Sequence, residues 1–209
     1  METPPKSSLA KRLIITAAVL AVWFWTQSLI GGRPLPASGL GDGLHNLFAP
    51  WNQYLHLHPT AANVLLIISS ALIDGMGLFL LGRWIFSGTV RPFLGLVILM
   101  GLRQICQSLC ALPPPPGIIW HYPGFPSLLV TYGVAYDFFF SGHTAIAVFA
   151  ALELARLKKP WLTALAIAVV VLEVVVVLVL RAHYTMDVVT GILAALYVSR
   201  LTSLPKQKT

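Results

Sequence analysis

Long runs of apolar residues are the feature that most restricts the fold of this 209-residue chain. The clearest run extends from Val169 to Leu180, where Glu173 is the single charged residue. The composition agrees, because 57% of the residues are hydrophobic and only 10% are charged, unlike a soluble globular protein. A helix that crosses a bilayer needs about 20 mostly apolar residues. The chain is therefore predicted to be an all-α integral membrane protein.

Six apolar segments are long enough to be predicted as transmembrane helices. They lie near residues 12–31, 61–86, 90–111, 138–156, 160–180 and 184–203. The first segment follows Lys11 and Arg12, as the apolar part of a secretory signal would. Its apolar stretch is as long as a full span, however, and no convincing small-residue cleavage pattern follows it. We therefore expect a retained helix and a single membrane domain over residues 1–209.

The basic residues are distributed unevenly between the two predicted membrane faces. If the amino terminus is cytoplasmic, 11 of the 14 Lys and Arg lie in predicted inner segments. They are Lys6, Lys11, Arg12, Arg83, Arg91, Arg156, Lys158, Lys159, Arg200, Lys206 and Lys208. Only Arg33, Arg103 and Arg181 fall on or toward the other side. This asymmetry predicts that both termini are cytoplasmic. It also explains the net charge of +7 without a nucleic-acid partner, for which no recognition motif is present.

Two short motifs each place a histidine at the start of an apolar segment. They read Asp137-Phe-Phe-Phe-Ser141-Gly142-His143-Thr144 and Arg181-Ala-His183-Tyr184-Thr185-Met186-Asp187. Both histidines fall at the predicted outer ends of their spans, which places them toward the periplasm, the lumen or the cell exterior. Ionisable groups in a membrane are costly unless they are used. Two such motifs on one face indicate a functional site rather than two unrelated interfacial histidines.

The residues around these histidines suit the binding of a phosphate. Ser141 and Gly142 open a predicted helix, whose unpaired N–H groups and partial positive charge favour an anion. Gly142 also allows the backbone to approach a ligand closely. His183 and Asp187 are four residues apart and share one helical face. Asp187 is expected to accept a hydrogen bond from one ring nitrogen of His183, which fixes the tautomer and raises the basicity of the other nitrogen.

An outer segment over residues 44–55 is predicted to be an interfacial helix. Its apolar side chains have helical spacing, with an interruption expected near Pro50. His45, His56 and His58 lie in or next to this segment. No Cys or carboxylate set joins them at ligand spacing, so surface or interfacial histidines are favoured over a metal site.

The outer loop from Leu112 to Pro126 contains four consecutive prolines and is expected to be extended. It is either a plain linker or a wall over the site that holds Trp120, Tyr122 and Phe125 at head-group depth. Linkers and walls share this composition, so the sequence leaves both interpretations open.

The paired histidine motifs resemble those of the PAP2-type superfamily of lipid phosphatases and phosphotransferases, in the branch of the sphingomyelin synthases. The segments Asp137-x-x-Phe-Ser-Gly-His143-Thr and His183-Tyr-Thr-x-Asp187 match the sphingomyelin synthase pattern. Arg103, followed by Leu112-Pro-x-Pro-x-Gly, resembles an earlier shared block, and Arg181 makes the second motif similar to that of the plant phosphatidylcholine:diacylglycerol cholinephosphotransferases. The resemblance runs from about residue 60 to residue 203 and implies a PAP2-like bundle of six transmembrane helices.

Departures from the phosphatase pattern favour transfer over hydrolysis. Trp84 stands where the phosphatases carry a lysine, Phe140 replaces a proline, and Val176 and Val177 replace a Ser-Arg pair. The resemblance therefore implies transfer of a phosphocholine or phosphoethanolamine group from a phospholipid to a lipid alcohol such as diacylglycerol or ceramide. A lipid phosphate phosphatase is the alternative, and a non-catalytic lipid-binding protein is a weaker one.

The implied mechanism assigns a role to each motif residue. Unprotonated His183, oriented by Asp187, attacks phosphorus, and His143 acts as general acid and then as general base. The phosphate is held by Arg103 and Arg181 together with Ser141 and Gly142. Asp137 either meets a cationic head group or orients His143. The scheme needs no metal or other cofactor.

Three further acidic residues lie within predicted spans. Glu173 and Arg103 are at similar depth, judged by a rise of about 1.5 Å per residue, and could form an ion pair. Asp74 and Glu153 lie deeper. For these two acids a structural pairing or a protonated state is favoured over catalysis.

Overall fold

The computed structural model describes residues 8–32, 40–133 and 137–203. Within these ranges the chain forms eight α-helices and no strand, so the prediction of an all-α protein is confirmed. The helices are α1 (Leu9–Gly31), α2 (Gly43–Leu47), α3 (Ala49–Leu57), α4 (Pro59–Ile85), α5 (Val90–Leu109), α6 (Gly142–Ala155), α7 (Pro160–Val179) and α8 (Thr185–Leu201).

Four of the helices are long and apolar enough to cross a membrane. They are α1, over Leu9–Leu29, and the whole of α4, α5 and α7. In contrast, α6 is apolar but has 14 residues, and α8 has 17. At about 1.5 Å per residue α6 rises only ~21 Å, which is less than the roughly 30 Å thickness of the hydrocarbon core. Four of the six predicted spans are thus confirmed by length and composition, and the other two are shorter helices.

The start of α6 differs from the predicted start at residue 138. Ser141 is the N-cap, and its Oγ accepts a hydrogen bond from the Thr144 N–H at 3.3 Å. The N–H of Ser141 donates instead to the Asp187 carbonyl in α8, at 3.0 Å. The apolar residues 138–140 suggested helix, but apolarity alone does not distinguish a buried helix from another buried segment.

The short α6 lies at the centre of the bundle. Four helices, α4, α5, α7 and α8, pack against it, and every residue from 141 to 150 is buried. A Cβ atom added to Gly191 of α8 would lie 2.8 Å from the Ser141 carbonyl oxygen. The glycine therefore allows the two helices to approach closely, as small residues do in membrane proteins. Neighbouring helices surround α6, so its length need not match the bilayer.

Ion pairs and hydrogen bonds join the helix ends that lie opposite the histidine motifs. Arg91, at the start of α5, pairs with Glu153 near the end of α6, and Arg156 contacts the same carboxylate at 3.5 Å. Ser203, after α8, accepts hydrogen bonds from both arginines. Arg12 of α1 donates to a carbonyl at the end of α4 at 3.0 Å. The structure therefore gathers these basic residues at one end of the bundle. Four residues used to predict the orientation lie outside the described ranges: Lys6, Arg33, Lys206 and Lys208.

The predicted interfacial helix is divided in two. Asp42 is the N-cap of α2, and Pro50 occupies the first turn of α3. A proline fits there because the N–H groups of a first turn have no partner within the helix. The interruption expected near Pro50 is confirmed.

Candidate active site

A small cavity of about 30 Å³ lies at the end of the bundle opposite the Arg91–Glu153 pair. Its wall is built from α1, α4, α5, the start of α6, the outer loop between α5 and α6, the segment before α6 and the loop between α7 and α8. The structure brings five of the predicted catalytic and substrate-binding residues to this wall: Arg103, Asp137, Gly142, His143 and His183.

The ring of His183 is held by a backbone carbonyl. Its Nδ1 atom lies 3.0 Å from the Phe138 carbonyl oxygen. A carbonyl can only accept, so Nδ1 carries the hydrogen, and Nε2 of the neutral ring is left with a free lone pair. The nearest carboxylate oxygen of Asp187 is 3.6 Å from Nδ1, which is too long for a hydrogen bond. The expected hydrogen bond from His183 to Asp187 is therefore not made, and the Phe138 carbonyl takes its place.

Asp187 is fully buried but does not line the cavity. Its Oδ2 atom accepts a hydrogen bond from the N–H of Tyr184 at 2.9 Å. A carboxylate in the first turn suits the positive end of α8 and satisfies an N–H at its start. Asp187 thus stabilises the turn that carries His183.

The loop between α7 and α8, which carries His183, is also held by Asp42 and His45 at the start of α2. His45 Nε2 donates to the carbonyl of His183 at 2.9 Å. Asp42 accepts hydrogen bonds from both the hydroxyl and the N–H of Thr185, at 2.6 and 2.5 Å. His45 is only 4% exposed, so it is not a surface histidine. Sequence reasoning missed Asp42: an aspartate before an apolar segment is an N-cap signal, but it does not reveal the contact with α8.

His143 lies in the first turn of α6 and is buried. The centre of its ring is 6.3 Å from that of His183, and Trp120 packs edge-on against it at 5.2 Å. Within the described ranges, its buried Nε2 atom has no hydrogen-bond partner. Leaving a buried polar atom unpaired is unfavourable. This nitrogen is therefore an atom that a bound ligand would satisfy.

Arg103 reaches the cavity from α5 and is 6% exposed. Its Nε donates to the Phe140 carbonyl at 3.0 Å, and its Nη2 donates to the carbonyl and carboxylate of Asp137 at 2.8 and 3.1 Å. The ion pair suggested between Arg103 and Glu173 is not formed. Glu173 instead accepts a hydrogen bond from Ser69 at 2.7 Å. The arginine is thus fixed by the segment that leads into α6.

Gln27 of α1 completes this network. It is 2% exposed, and its Nε2 donates to the Asp137 carboxylate at 2.9 Å. Its Oε1 accepts from Gln104 at 3.1 Å and, more weakly, from Arg103 at 3.4 Å. Sequence reasoning missed Gln27. A glutamine within an apolar span was the available signal, because a polar side chain there needs a partner.

Gly142 makes room for the arginine. A Cβ atom at this position would lie 3.0 Å from Nε of Arg103. The guanidinium therefore packs directly against the amino terminus of α6, which adds to the positive field of the helix end. Ser141 is fully buried, caps α6 and does not line the cavity.

Arg181 is not brought to the cavity. Its Nη1 donates to the Pro116 carbonyl at 2.6 Å and its Nη2 to the His45 carbonyl at 3.1 Å. The guanidinium thus joins the outer loop to α2. Of the two arginines predicted to hold phosphate, the structure places only Arg103 beside the histidines.

The proline-rich loop contributes a wall of the cavity. Trp120 lines it, and its Nε1 donates to the Thr131 carbonyl at 3.2 Å. Asp74 of α4 anchors the same loop, because its carboxylate accepts from the N–H groups of residues 128 and 129 at 2.7 and 2.8 Å. The sequence allows the loop to be either a linker or a wall over the site. The loop forms a wall at Trp120, whereas Tyr122 and Phe125 are exposed. The structural roles expected for Asp74 and Glu153 are confirmed.

His56 and His58 are exposed, as expected of surface histidines. Each has a ring nitrogen near a backbone carbonyl, at 3.1 Å from Gly117 and 2.8 Å from Tyr54. In the part of the chain that the structure describes, no group of three or more His, Cys, Asp or Glu residues is placed to hold a metal ion.

The fold and the cavity define an all-helical membrane protein in which two histidines and an arginine share one small cavity. A sequence model of the AtPDCT1/2 family matches residues 43–204, and the chain belongs to that family. Phosphatidylcholine:diacylglycerol cholinephosphotransferase 1 of Arabidopsis thaliana is 25% identical over 141 residues. This match covers 68% of the chain but 46% of the relative, so the chain spans less than half the length of that curated protein. No solved structure matches the chain.

Proposed function

We propose that this protein transfers a phospholipid head group, moving a phosphocholine or phosphoethanolamine group from a phospholipid to a lipid alcohol such as diacylglycerol or ceramide. The observation that carries the proposal is the shared cavity: His143 and His183 lie 6.3 Å apart between ring centres, beside the buried Arg103. The relative's name specifies phosphatidylcholine and diacylglycerol, which makes them the first substrates to test.

His183 is the proposed nucleophile. The Phe138 carbonyl holds the hydrogen on Nδ1, so the lone pair of Nε2 is free to attack phosphorus. A P–N bond forms while the P–O bond to the diacylglycerol part of the donor breaks. Protonated His143 gives its proton to the departing alkoxide as general acid. The products are a phosphohistidine that carries the head group and a free diacylglycerol.

The second step reverses the first with a new alcohol. Neutral His143 takes the proton from the hydroxyl of the acceptor lipid, and the acceptor oxygen attacks phosphorus. The P–N bond breaks, which restores His183 and leaves His143 protonated for the next turnover. One phosphoester is exchanged for another, so the reaction consumes no water.

Arg103 is proposed to stabilise the charge on the phosphate. It lies against the amino terminus of α6, and a fixed positive field near a developing negative charge lowers the barrier. Among the hydrogen bonds that Arg103 makes to the described residues, that of Nη1 to Gln27 is the longest, at 3.4 Å, so Nη1 is the donor most easily turned to a phosphate oxygen. Asp137 is then a positioning residue, which holds the guanidinium through its carboxylate at 3.1 Å.

The site is proposed to face the periplasm, the lumen or the cell exterior, with both termini in the cytoplasm. Support comes from Arg12, Arg91 and Arg156, which gather at the end of the bundle opposite the histidines, in keeping with the positive-inside rule. In this proposal α6 and α8 are embedded with the four longer helices in one PAP2-like membrane domain over residues 1–209.

The reaction is tested by head-group exchange in liposomes. Purified protein is incubated with phosphatidylcholine or phosphatidylethanolamine whose head group carries deuterium, together with unlabelled diacylglycerol or ceramide. Mass spectrometry is expected to find the deuterated head group in a lipid that carries the acyl chains of the acceptor. Release of water-soluble phosphocholine or phosphate without exchange would overturn transfer in favour of hydrolysis.

The roles of the two histidines are tested with an activated substrate. A p-nitrophenyl phosphodiester has a leaving group that needs no proton, so it should partly restore turnover to His143→Ala but not to His183→Ala. The labelled head group should be trapped as an acid-labile phosphohistidine on the wild-type protein and on His143→Ala, but not on His183→Ala. Equal rescue of both variants, or a labelled His183→Ala protein, would contradict these roles. His58→Ala, which changes an exposed histidine between α3 and α4, is the matched control.

A further inference from the structure

A second and larger cavity lies between α1 and α5. Its volume is about 570 Å³, within the roughly 300–1,000 Å³ of pockets that bind small molecules. Its wall extends from Thr16 to Thr26 on α1 and from Phe93 to Ile105 on α5. The wall is apolar apart from the two threonines and Gln104. Ten residues of α1 rise about 15 Å, so the cavity is long as well as apolar.

The two cavities adjoin each other. Trp23, Met100, Leu129 and Ile146 line both of them. The apolar cavity therefore begins where the wall of the histidine cavity ends. A ligand that fills both must join a polar group to a long apolar chain.

Trp23 gives a second indication of a ligand at this border. Its indole Nε1 is buried and, among the described residues, has no hydrogen-bond partner. A buried indole N–H normally finds an acceptor. An ester or phosphate oxygen at the junction of the two cavities would provide one.

We propose that this cavity binds one acyl chain of the donor phospholipid while the phosphate faces His143 and His183. The assignment rests on the proposed function, because that function places the phosphate in the adjoining cavity. The helix α1 then belongs to the site: it provides Gln27 to the polar network and Trp23 to both cavities. The family match begins at residue 43, so nothing in that match assigns a role to α1.

Two glycines offer a matched pair of variants. Gly101 lines the apolar cavity, and a Cβ atom added there meets no atom within 4 Å. A Cβ atom added to Gly75 of α4 also meets no atom within 4 Å, but Gly75 lines neither cavity. Both are exposed positions inside helices. Gly101→Phe should therefore fill the cavity, whereas Gly75→Phe adds the same side chain elsewhere. Val97→Trp, on the same wall, is a second filling variant.

The test is photolabelling, which needs no turnover. A phosphatidylcholine with a diazirine at the end of one acyl chain is added in trace amounts to phosphatidylglycerol nanodiscs. Mass spectrometry then compares labelling of the cavity wall with labelling of Val171, which is 57% exposed on α7. Wild type and Gly75→Phe should be labelled mainly at the cavity wall. In both filling variants the labelling of the cavity wall should fall about tenfold, which is the order of discrimination that an apolar pocket provides.

Labelling of the cavity wall no stronger than that of Val171 would overturn the assignment, as would labelling unchanged in both filling variants. Protection by excess diacylglycerol but not by excess phosphatidylcholine would overturn the donor lipid as the occupant in favour of the acceptor. If the labelling is as expected but no head group is exchanged in liposomes, the proposed reaction fails and the acyl-chain site stands.

Discussion

The Nδ1 atom of His183 lies 3.0 Å from the carbonyl oxygen of Phe138, and 3.6 Å from the carboxylate of Asp187. A carbonyl oxygen can only accept a hydrogen bond, so a neutral His183 in this position carries its hydrogen on Nδ1. The arrangement leaves Asp187 free to bind the N–H of Tyr184 at the start of α8. The two residues of the second motif therefore act through the same turn, but without a mutual hydrogen bond.

The first prediction concerns the carboxylate of Asp187. Asp187→Asn keeps a side-chain oxygen that can accept from Tyr184, and the tautomer of His183 is set by Phe138. We expect kcat to fall by only about tenfold, whereas loss of an orienting carboxylate in a serine-protease triad costs about 10⁴-fold. Asp187→Ala removes the acceptor and should lower the free energy of unfolding by about 0.5–2 kcal/mol. The measurements are kcat for head-group exchange and thermal unfolding. A folded Asp187→Asn protein with a 10⁴-fold loss would establish the carboxylate as the group that orients His183.

The second prediction concerns Gln27, which holds Asp137 at 2.9 Å and touches Arg103 at 3.4 Å. Gln27→Leu leaves both partners without this contact, and an unpaired buried group costs about 1–3 kcal/mol. We expect kcat/KM to fall by at least about tenfold, since roughly 1.4 kcal/mol is a factor of ten. Gln27→Glu should be worse, because it places a second negative charge beside the carboxylate of Asp137.

Ser28→Ala is the control for Gln27. Its side chain is exposed, and its hydroxyl donates to the Trp25 carbonyl of the same helix at 2.7 Å, so kcat/KM should not change. An unchanged kcat/KM in Gln27→Leu would show that α1 is not part of the site.

Hydropathy predicted the helices because apolar runs report burial or lipid contact directly. It could not predict the neighbours of each helix. Arg103 and Glu173 have similar depth along their helices, but depth does not say which way a side chain points around the bundle, and Arg103 turns toward the segment before α6. The histidine motifs were recognisable because their polar residues interrupt apolar segments. His45 and Gln27 are each a single polar residue, and such a residue gives no sign of its partner 138 or 110 positions away.

The third prediction concerns Asp42, which joins α2 to the start of α8. Burial raises the pKa of this carboxyl, but the hydrogen bonds from Thr185 and His45 outweigh it and bring the pKa below its ordinary value of 3.8. A depressed pKa in the folded state means that Asp42 stabilises the fold at pH values above 3.8. This contribution is lost as the pH falls from there through the folded-state pKa.

The corresponding variant is Asp42→Asn. The amide still caps α2, but it has one acceptor oxygen where the carboxylate uses two, so the free energy of unfolding at neutral pH should fall by about 1 kcal/mol. Thermal unfolding in detergent is measured from pH 7 to pH 3 for this variant, wild type and His56→Ala. The difference between Asp42→Asn and wild type should shrink below pH 4, and His56→Ala should follow wild type. A difference that stays constant with pH would show that the carboxylate charge contributes nothing to the contact between α2 and α8.

The fourth prediction concerns the membrane face of the site. A cysteine is placed at one exposed position at each end of the bundle, and neither position lines the histidine cavity. Tyr122 is 58% exposed on the outer loop, and Lys159 is exposed just before α7. The free cysteines Cys106 and Cys110 are first replaced by alanine. Because the basic residues gather at the Lys159 end, the positive-inside rule places that end in the cytoplasm.

In sealed cells, an impermeant thiol reagent should therefore label Tyr122→Cys and leave Lys159→Cys unlabelled. After detergent is added, both variants should react, which shows that the Lys159→Cys thiol is reactive and was protected only by the membrane. The reverse pattern would move the histidine cavity to the cytoplasmic face. The donor lipid would then have to come from the inner leaflet, although the contacts of His143, His183 and Arg103 with one another and with the bundle would be unchanged. The labelling experiment thus decides which leaflet supplies the substrate independently of whether the chemistry is transfer or hydrolysis.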